Sequence, residues 1–256
     1  MTTLACDIEG NALLYSISQI WCIVVKDIES RQYHFWCYDK KIGDQYVLEN
    51  GKSYTHVCDL KRLLSYMSIS KLIFHNGIMF DIPAIQKFFP TWEPKKVEDT
   101  FILSSLFEPD RLGGHSLAQW GKETGEFKID HEDWSVFSRE MLNRCVRDAD
   151  LTESRWESLQ AERNSWDWEK AIRLEYTVAK LCAQMEMNGI LLDQDKAKEV
   201  LERINKELEE IDKKLLEMIP LRVTDKSESG AKMPPVTKIW KKDGSYSKQV
   251  EDWIKE

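Results

Sequence analysis

The chain has 256 residues, 42% of them hydrophobic and 31% charged, with ten tryptophans, eleven glycines and seven prolines. That apolar and aromatic content excludes a disordered chain, and so few glycines and prolines exclude a collagen-like or linker-dominated one. A net charge of −8 excludes a surface that coats nucleic acid indiscriminately, while leaving room for a local site.

No apolar run approaches the roughly 18 to 20 residues of a membrane span. The start, Met1-Thr-Thr-Leu-Ala-Cys-Asp7, lacks the basic and then apolar regions of an export signal, so a soluble, unexported protein is expected. The six cysteines (Cys6, Cys22, Cys37, Cys58, Cys145, Cys182) are irregularly spaced, with no CxxC pair and no histidine at ligand spacing. They read as reduced core thiols rather than disulfide or zinc ligands.

Residues 3–8, 17–26 and 33–38 are short runs of β-branched and aromatic residues parted by polar turns, which predicts a three-stranded meander. A helix over 57–67 and the apolar run Lys71–His75 add a β-helix-β step of a mixed sheet. Helices are expected near 80–89, 99–107, 115–125 and 137–163, with Pro83 tolerated in a first turn. Ala171, Leu174, Val178, Leu181 and Met185 step by three and four, as do Leu201, Ile204, Leu208, Ile211, Leu215 and Met218. Two such stripes joined through Gly189–Asp193 predict an antiparallel helical hairpin. Residues 222–248 carry seven Lys or Arg against three Asp or Glu, a basic stretch that reads as a phosphate-backbone contact or as a solvated connector.

Asp7-Ile8-Glu9 closes the first strand. Strand alternation puts both carboxylates on one face while Ile8 turns the other way, and two acids held that close repel unless a cation lies between them. Leu72-Ile73-Phe74 then delivers His75-Asn76-Gly77 and Asp81 to the edge of a sheet, where ligand sites of α/β folds lie, although Asp81 taken by itself reads first as a helix N-cap. Asp148 lies beside the apolar positions Val146 and Ala149. Partial burial there calls for a metal, or for a salt bridge to Arg144 or Arg147.

These motifs, in this order, resemble the DEDD exonuclease superfamily: Asp7-x-Glu9, His75-Asn76-Gly77-x-x-Phe80-Asp81, and Asp148 followed by Leu151-Thr152. The stretches from Asp7 to Leu14, from Gly114 to Glu126 and from Glu175 to Asp193 look like the 3′→5′ exonuclease domain and thumb start of family A replicative DNA polymerases of podoviruses.

The resemblance implies an α/β fold, a ribonuclease H-like mixed sheet flanked by helices, followed by the helical hairpin. It implies an exonuclease domain over 1–165 and the beginning of a polymerase thumb over 166–256. It assigns Asp7, Glu9 and Asp148 to the tighter of two divalent ions, Mg²⁺ or Mn²⁺, and Asp81 to the second, partly through water. Leu13 stands where the family wedges an apolar side chain against the terminal base, and Asn76 where it touches the terminal nucleotide. The expected substrate is the 3′ end of single-stranded DNA, and the expected compartment is the cytoplasm, that of the host cell if the source is viral.

Two features depart from the family. The tyrosine or histidine that precedes the last aspartate by four or five residues is here Arg144 or Asn143. Arg144, one turn from Asp148, faces either the scissile phosphate or Asp148 itself and counts among the candidate catalytic residues. The fingers and palm of a polymerase do not follow, so a separate polymerase-domain polypeptide is the expected partner.

Overall fold

The computed structural model describes residues 1–218 and, beyond them, 240–241, 244–247 and 250–251. Most of the basic stretch 222–248 therefore lies outside the described residues. The architecture is α/β. A six-stranded mixed sheet is formed by β1 (Thr3–Gly10), β2 (Ile20–Asp27), β3 (Tyr33–Cys37), β4 (Tyr54–His56), β5 (Lys71–Phe74) and β6 (Lys96–Asp99), in the order β4-β3-β2-β1-β5-β6. The meander β1-β2-β3 is antiparallel, and β4, β5 and β6 each join a neighbour in parallel.

The helices are α1 (Lys40–Asn50), α2 (Leu60–Ser68), α3 (Asp81–Phe88), α4 (Thr100–Phe107), α5 (Leu117–Thr124), α6 (Arg139–Arg163), α7 (Glu169–Asn188) and α8 (Gln194–Met218). Alternation in β1 divides the core in two. Leu4, Cys6 and Ile8 pack with Leu63, Leu64 and Met67 of α2 and Ile82 and Ile85 of α3. On the opposite face, Cys22, Val24 and Phe35 pack with Met141, Leu142, Cys145, Val146 and Ala149 of α6. Burial of each such aliphatic side chain contributes about 1.5–3 kcal/mol, enough together to press α6 against a strand that carries like-charged acids.

Three elements were absent from the sequence reading: α1, β4 and β6. Gly43 in the first turn of α1 weakens its helical pattern, but Asp39 caps it by accepting from the backbone N–H groups of Lys41 and Ile42. The strands β4 and β6 have three and four residues, too few for alternation to register. Ile17, expected in a strand, is buried in the turn before β2. Four cysteines are buried as expected, but Cys58 and Cys182 are exposed, which corrects the reading of all six as core thiols.

The chain divides into two compact units after Gly189, so α7 is counted with the sheet. Its buried side is Ile172 and Ala183, with Tyr176 and Ala179 half-buried, whereas Leu174, Val178, Leu181 and Met185 of the anticipated stripe are exposed. In the second unit Asp193 caps α8 by accepting from Lys196 N at 2.9 Å. No described helix is long and apolar enough to cross a membrane.

Candidate metal centre

Asp7 and Glu9 project from the face of β1 that meets α6, and the Cys145 thiol donates to the Asp7 carbonyl at 3.3 Å, so strand and helix touch at the acids. One turn along α6 from Arg144, Asp148 turns to the same place. A carboxylate oxygen from each of Asp7, Glu9 and Asp148 lies within 4.8 Å of the other two. Glu9 and Asp148 are buried and Asp7 half-buried, and Asp7 Oδ2 and Asp148 Oδ1 are sealed from solvent without a hydrogen-bond partner.

Burial and mutual repulsion act in one direction. Burial first, then the charges of Asp148, Glu9 and Asp81, hold the Asp7 carboxyl well above the usual carboxylate range. Burial pushes Glu9 up to about 7 against the opposing pull of Arg144, and raises Asp148 against that of Lys128. Orphaned buried oxygens in an all-carboxylate set are what a hard divalent cation satisfies, so these residues fit such an ion.

Asp81 stands outside this group of three. It is buried at the first turn of α3, where burial and then the charge of Asp99 push it up to about 8. The N-cap is Phe80, with no side-chain capping bond, so the cap reading of Asp81 is corrected. The residue that organises this edge is Asp99, which sequence reasoning missed. Fully buried, it accepts from Asn76 N at 2.9 Å and Ile78 N at 3.0 Å and caps α4 through Phe101 N and Ile102 N. Those bonds hold Asn76 in the left-handed region at φ +64°, which asparagine tolerates better than most residues. An Asp just before Thr-Phe-Ile-Leu was the available signal. Leu13 is 71% exposed in the turn after β1, which leaves its side chain free for a ligand and excludes core packing.

Two cations lie on the acids. Arg144 Nε donates to Glu9 Oε1 at 2.9 Å and is 4.0 Å from Asp148 Oδ2, so its partner is Glu9 and the anticipated pairing with Asp148 is secondary. The same guanidinium donates to the Ile129 carbonyl and lies 5.1 Å over the Trp134 ring. Lys128, unnoticed in the sequence, donates to Asp148 Oδ2 at 2.6 Å. Nothing in the local sequence distinguishes it from any other loop lysine.

A second ligand-type group gathers where α1 meets β4: Asp44, His56 and Cys58 offer atoms within 4.8 Å of one another. Asp44 Oδ1 is 2.8 Å from His56 Nδ1, a proximity that the spacing of the cysteines did not reveal.

No family model matches the chain. Its sequence is similar to the DNA-directed DNA polymerases of Escherichia phage T7, 23% identical with 82% of this chain and 36% of the relative aligned, and of Enterobacteria phage T3, 23% identical with 74% and 33% aligned. The chain thus spans about a third of the length of these curated relatives. Among solved structures, the fold is similar to Brucella melitensis NrnC (TM-score 0.52, 19% identity, 73% of this chain and 86% of the other). It is also similar to Escherichia coli RNase D, an exoribonuclease (TM-score 0.50, 18% identity, 72% and 45%). The likeness to these solved structures shows the α/β fold.

Proposed function

We propose that this chain is a metal-dependent 3′→5′ exonuclease that hydrolyses single-stranded or frayed DNA 3′ ends to 5′-nucleotides, the proofreading part of a DNA polymerase. The observation that carries this is the convergence of Asp7, Glu9 and Asp148, with two buried oxygens lacking a partner, on a ribonuclease H-like sheet. Asp7, Glu9 and Asp148 would hold one divalent ion, and Asp81 would join in holding a second. Two such ions, Mg²⁺ or Mn²⁺, supply electrostatic stabilisation of the attacking and leaving oxygens.

The chain's own residues do the remainder. Exposed Leu13 offers an apolar face to the terminal base, and Asn76, fixed by Asp99, presents its amide at the same edge of the sheet. Arg144 keeps Glu9 and the 126–134 segment in register. The polymerase relatives favour DNA over RNA as the substrate, and the host cytoplasm as the place of work.

We take residues 1–165 as the nuclease proper and 166–256 as the start of a thumb. A separate polymerase-domain polypeptide is the proposed partner, supported by the exposed Leu174, Val178, Leu181 and Met185 of α7 and Leu201, Ile204, Leu208 and Ile211 of α8. A second reading, a DNA-holding assembly module with an impaired nuclease, is favoured by one observation: Lys128 and Arg144 already pair with the acids, and Arg144 stands where the resemblance implies a phenol or imidazole.

Incubation of the protein with 5′-labelled single-stranded DNA and Mg²⁺, with and without EDTA, decides between the two. Stepwise shortening that EDTA abolishes is expected; intact DNA under both conditions leaves the assembly reading. Because fraying costs roughly 1–2 kcal/mol per base-pair step, matched duplex ends should be shortened at least several-fold more slowly than single strands.

A further inference from the structure

The segment 126–138 between α5 and α6 contains no helix or strand, yet it is tethered along its length. At its start Gly121 of α5 lies so close beneath it that a Cβ there would stand 2.6 Å from the Glu126 carbonyl oxygen. Next, Arg144 binds the Ile129 carbonyl, and further on Trp21 Nε1 donates to the Trp134 carbonyl at 3.0 Å. Lys128 lies between the first two tethers, which leaves its backbone fixed and its flexible four-carbon stem as the mobile part. Its side chain is 26% exposed, whereas that of Asp148, which it binds, is 3% exposed.

A partly exposed ammonium thus lies on a nearly sealed carboxylate that belongs to the three-acid group. An ion taking the unpartnered Asp148 Oδ1 would stand a few ångströms from a cation on Oδ2 of the same group, and like charges at that range repel strongly in a partly buried site. Its partial exposure gives the ammonium a way toward solvent, where a phosphodiester would give it an anionic partner.

We propose that Lys128 is a built-in counter-cation of the carboxylate cluster, which holds divalent-ion affinity low until a phosphodiester takes the ammonium, so that metal and substrate bind together. This rests on the exonuclease reading of the site and adds its regulation. In the metal-free protein Lys128 offsets the repulsion among Asp7, Glu9 and Asp148. On substrate binding it exchanges Asp148 for the phosphate, and the vacated carboxylate becomes fully available to the ion. By linkage, the substrate then tightens the metal and the metal tightens the substrate by the same factor.

The test is Mn²⁺ binding to the whole chain, followed by the electron paramagnetic resonance of free Mn²⁺, with and without a phosphorothioate-linked oligothymidylate. Lys128→Met and Lys128→Gln should bind Mn²⁺ about tenfold more tightly than wild type without the oligonucleotide. Lys128→Arg, which keeps the charge, should stay near wild type. The oligonucleotide should tighten Mn²⁺ in the wild type and in Lys128→Arg but not in the two neutral variants. Unchanged or weaker Mn²⁺ affinity in both neutral variants, or an oligonucleotide effect as large in them as in wild type, overturns the role of Lys128 alone. Failure of the wild type to bind Mn²⁺ even with the oligonucleotide, or retention of binding when Asp7 and Glu9 are replaced by alanine, overturns the carboxylate site itself.

Discussion

Arg144 and Glu9, 135 positions apart in the sequence, share a hydrogen bond of 2.9 Å that ties the long helix to the end of the first strand. The guanidinium is spent on Glu9, the Ile129 carbonyl and the Trp134 ring, so it acts as a clamp on the carboxylate centre and on the segment beside it. Arg144→Ala should cost about 1–3 kcal/mol of stability and lower the Mg²⁺ concentration for half-maximal rate, because a cation that competes for Glu9 is gone. Chemical denaturation and a Mg²⁺ titration of the cleavage rate check both; a half-maximal concentration that rises contradicts the clamp.

Asp7→Ala with Glu9→Ala should abolish cleavage while the metal-free thermal midpoint stays level or rises. Removing Asp7 deletes a buried, repelled carboxylate with an unpartnered oxygen, and this offsets the lost Glu9 partner of Arg144. Metal-dependent cleavage within a few-fold of wild type would refute the site.

Metal affinity should climb with pH. Glu9 lies at about 7 and Asp81 at about 8 in the metal-free protein, so below those values protons compete with the ion for the same oxygens. For the same reason these two raised groups stabilise the metal-free protein at acid pH, a contribution lost as pH rises through 7 and 8. Mn²⁺ titrations at pH 6 and pH 8.5 should differ by at least about tenfold, in favour of the higher pH.

His75 works with the opposite sign. Burial, reinforced by Lys128 and Arg155, pushes it down to about 3, and its Nδ1 lies 2.8 Å from the Thr100 hydroxyl. The unfolded chain gains this proton near pH 6.5 and the native protein does not, so its contribution is present above 6.5 and lost as pH falls toward 3. By pH 4 the loss reaches up to about 3 kcal/mol. His75→Gln should flatten the stability profile between pH 6.5 and 4 relative to wild type, measured by urea unfolding.

Asp99→Ala should be among the most damaging single changes, at about 3 kcal/mol or more. It leaves the backbone N–H groups of Asn76, Ile78, Phe101 and Ile102 without their acceptor in the interior. Gly121→Ala, which drives a Cβ into the Glu126 carbonyl, should cost about 1–3 kcal/mol. Thermal unfolding of the two variants tests both; a change under 0.5 kcal/mol, roughly the scale of surface substitutions, contradicts either role.

Much of this protein was written in its local sequence. The meander, the parallel return to β5 and the long helix α6 follow from period-two and period-3.6 patterns, because each periodicity leaves one apolar face to bury. The pairing of Asp7 with Glu9 is likewise local, since alternation alone sets them on one side of β1. What joins them to Asp148 is not local: the packing of Met141, Leu142, Cys145 and Val146 on Cys22 and Val24 sets the height and rotation at which α6 crosses the sheet. That crossing decided that Arg144 takes Glu9 rather than Asp148, and it brought Lys128, from a segment without periodicity, onto the third acid. Asp99 reached the turn at Asn76 the same way, through the pairing of β6 with β5. Sequence patterns report which faces want burial. Only the folded chain, in which cores exclude each other and leave one distance between each pair of backbones, decides which charge meets which.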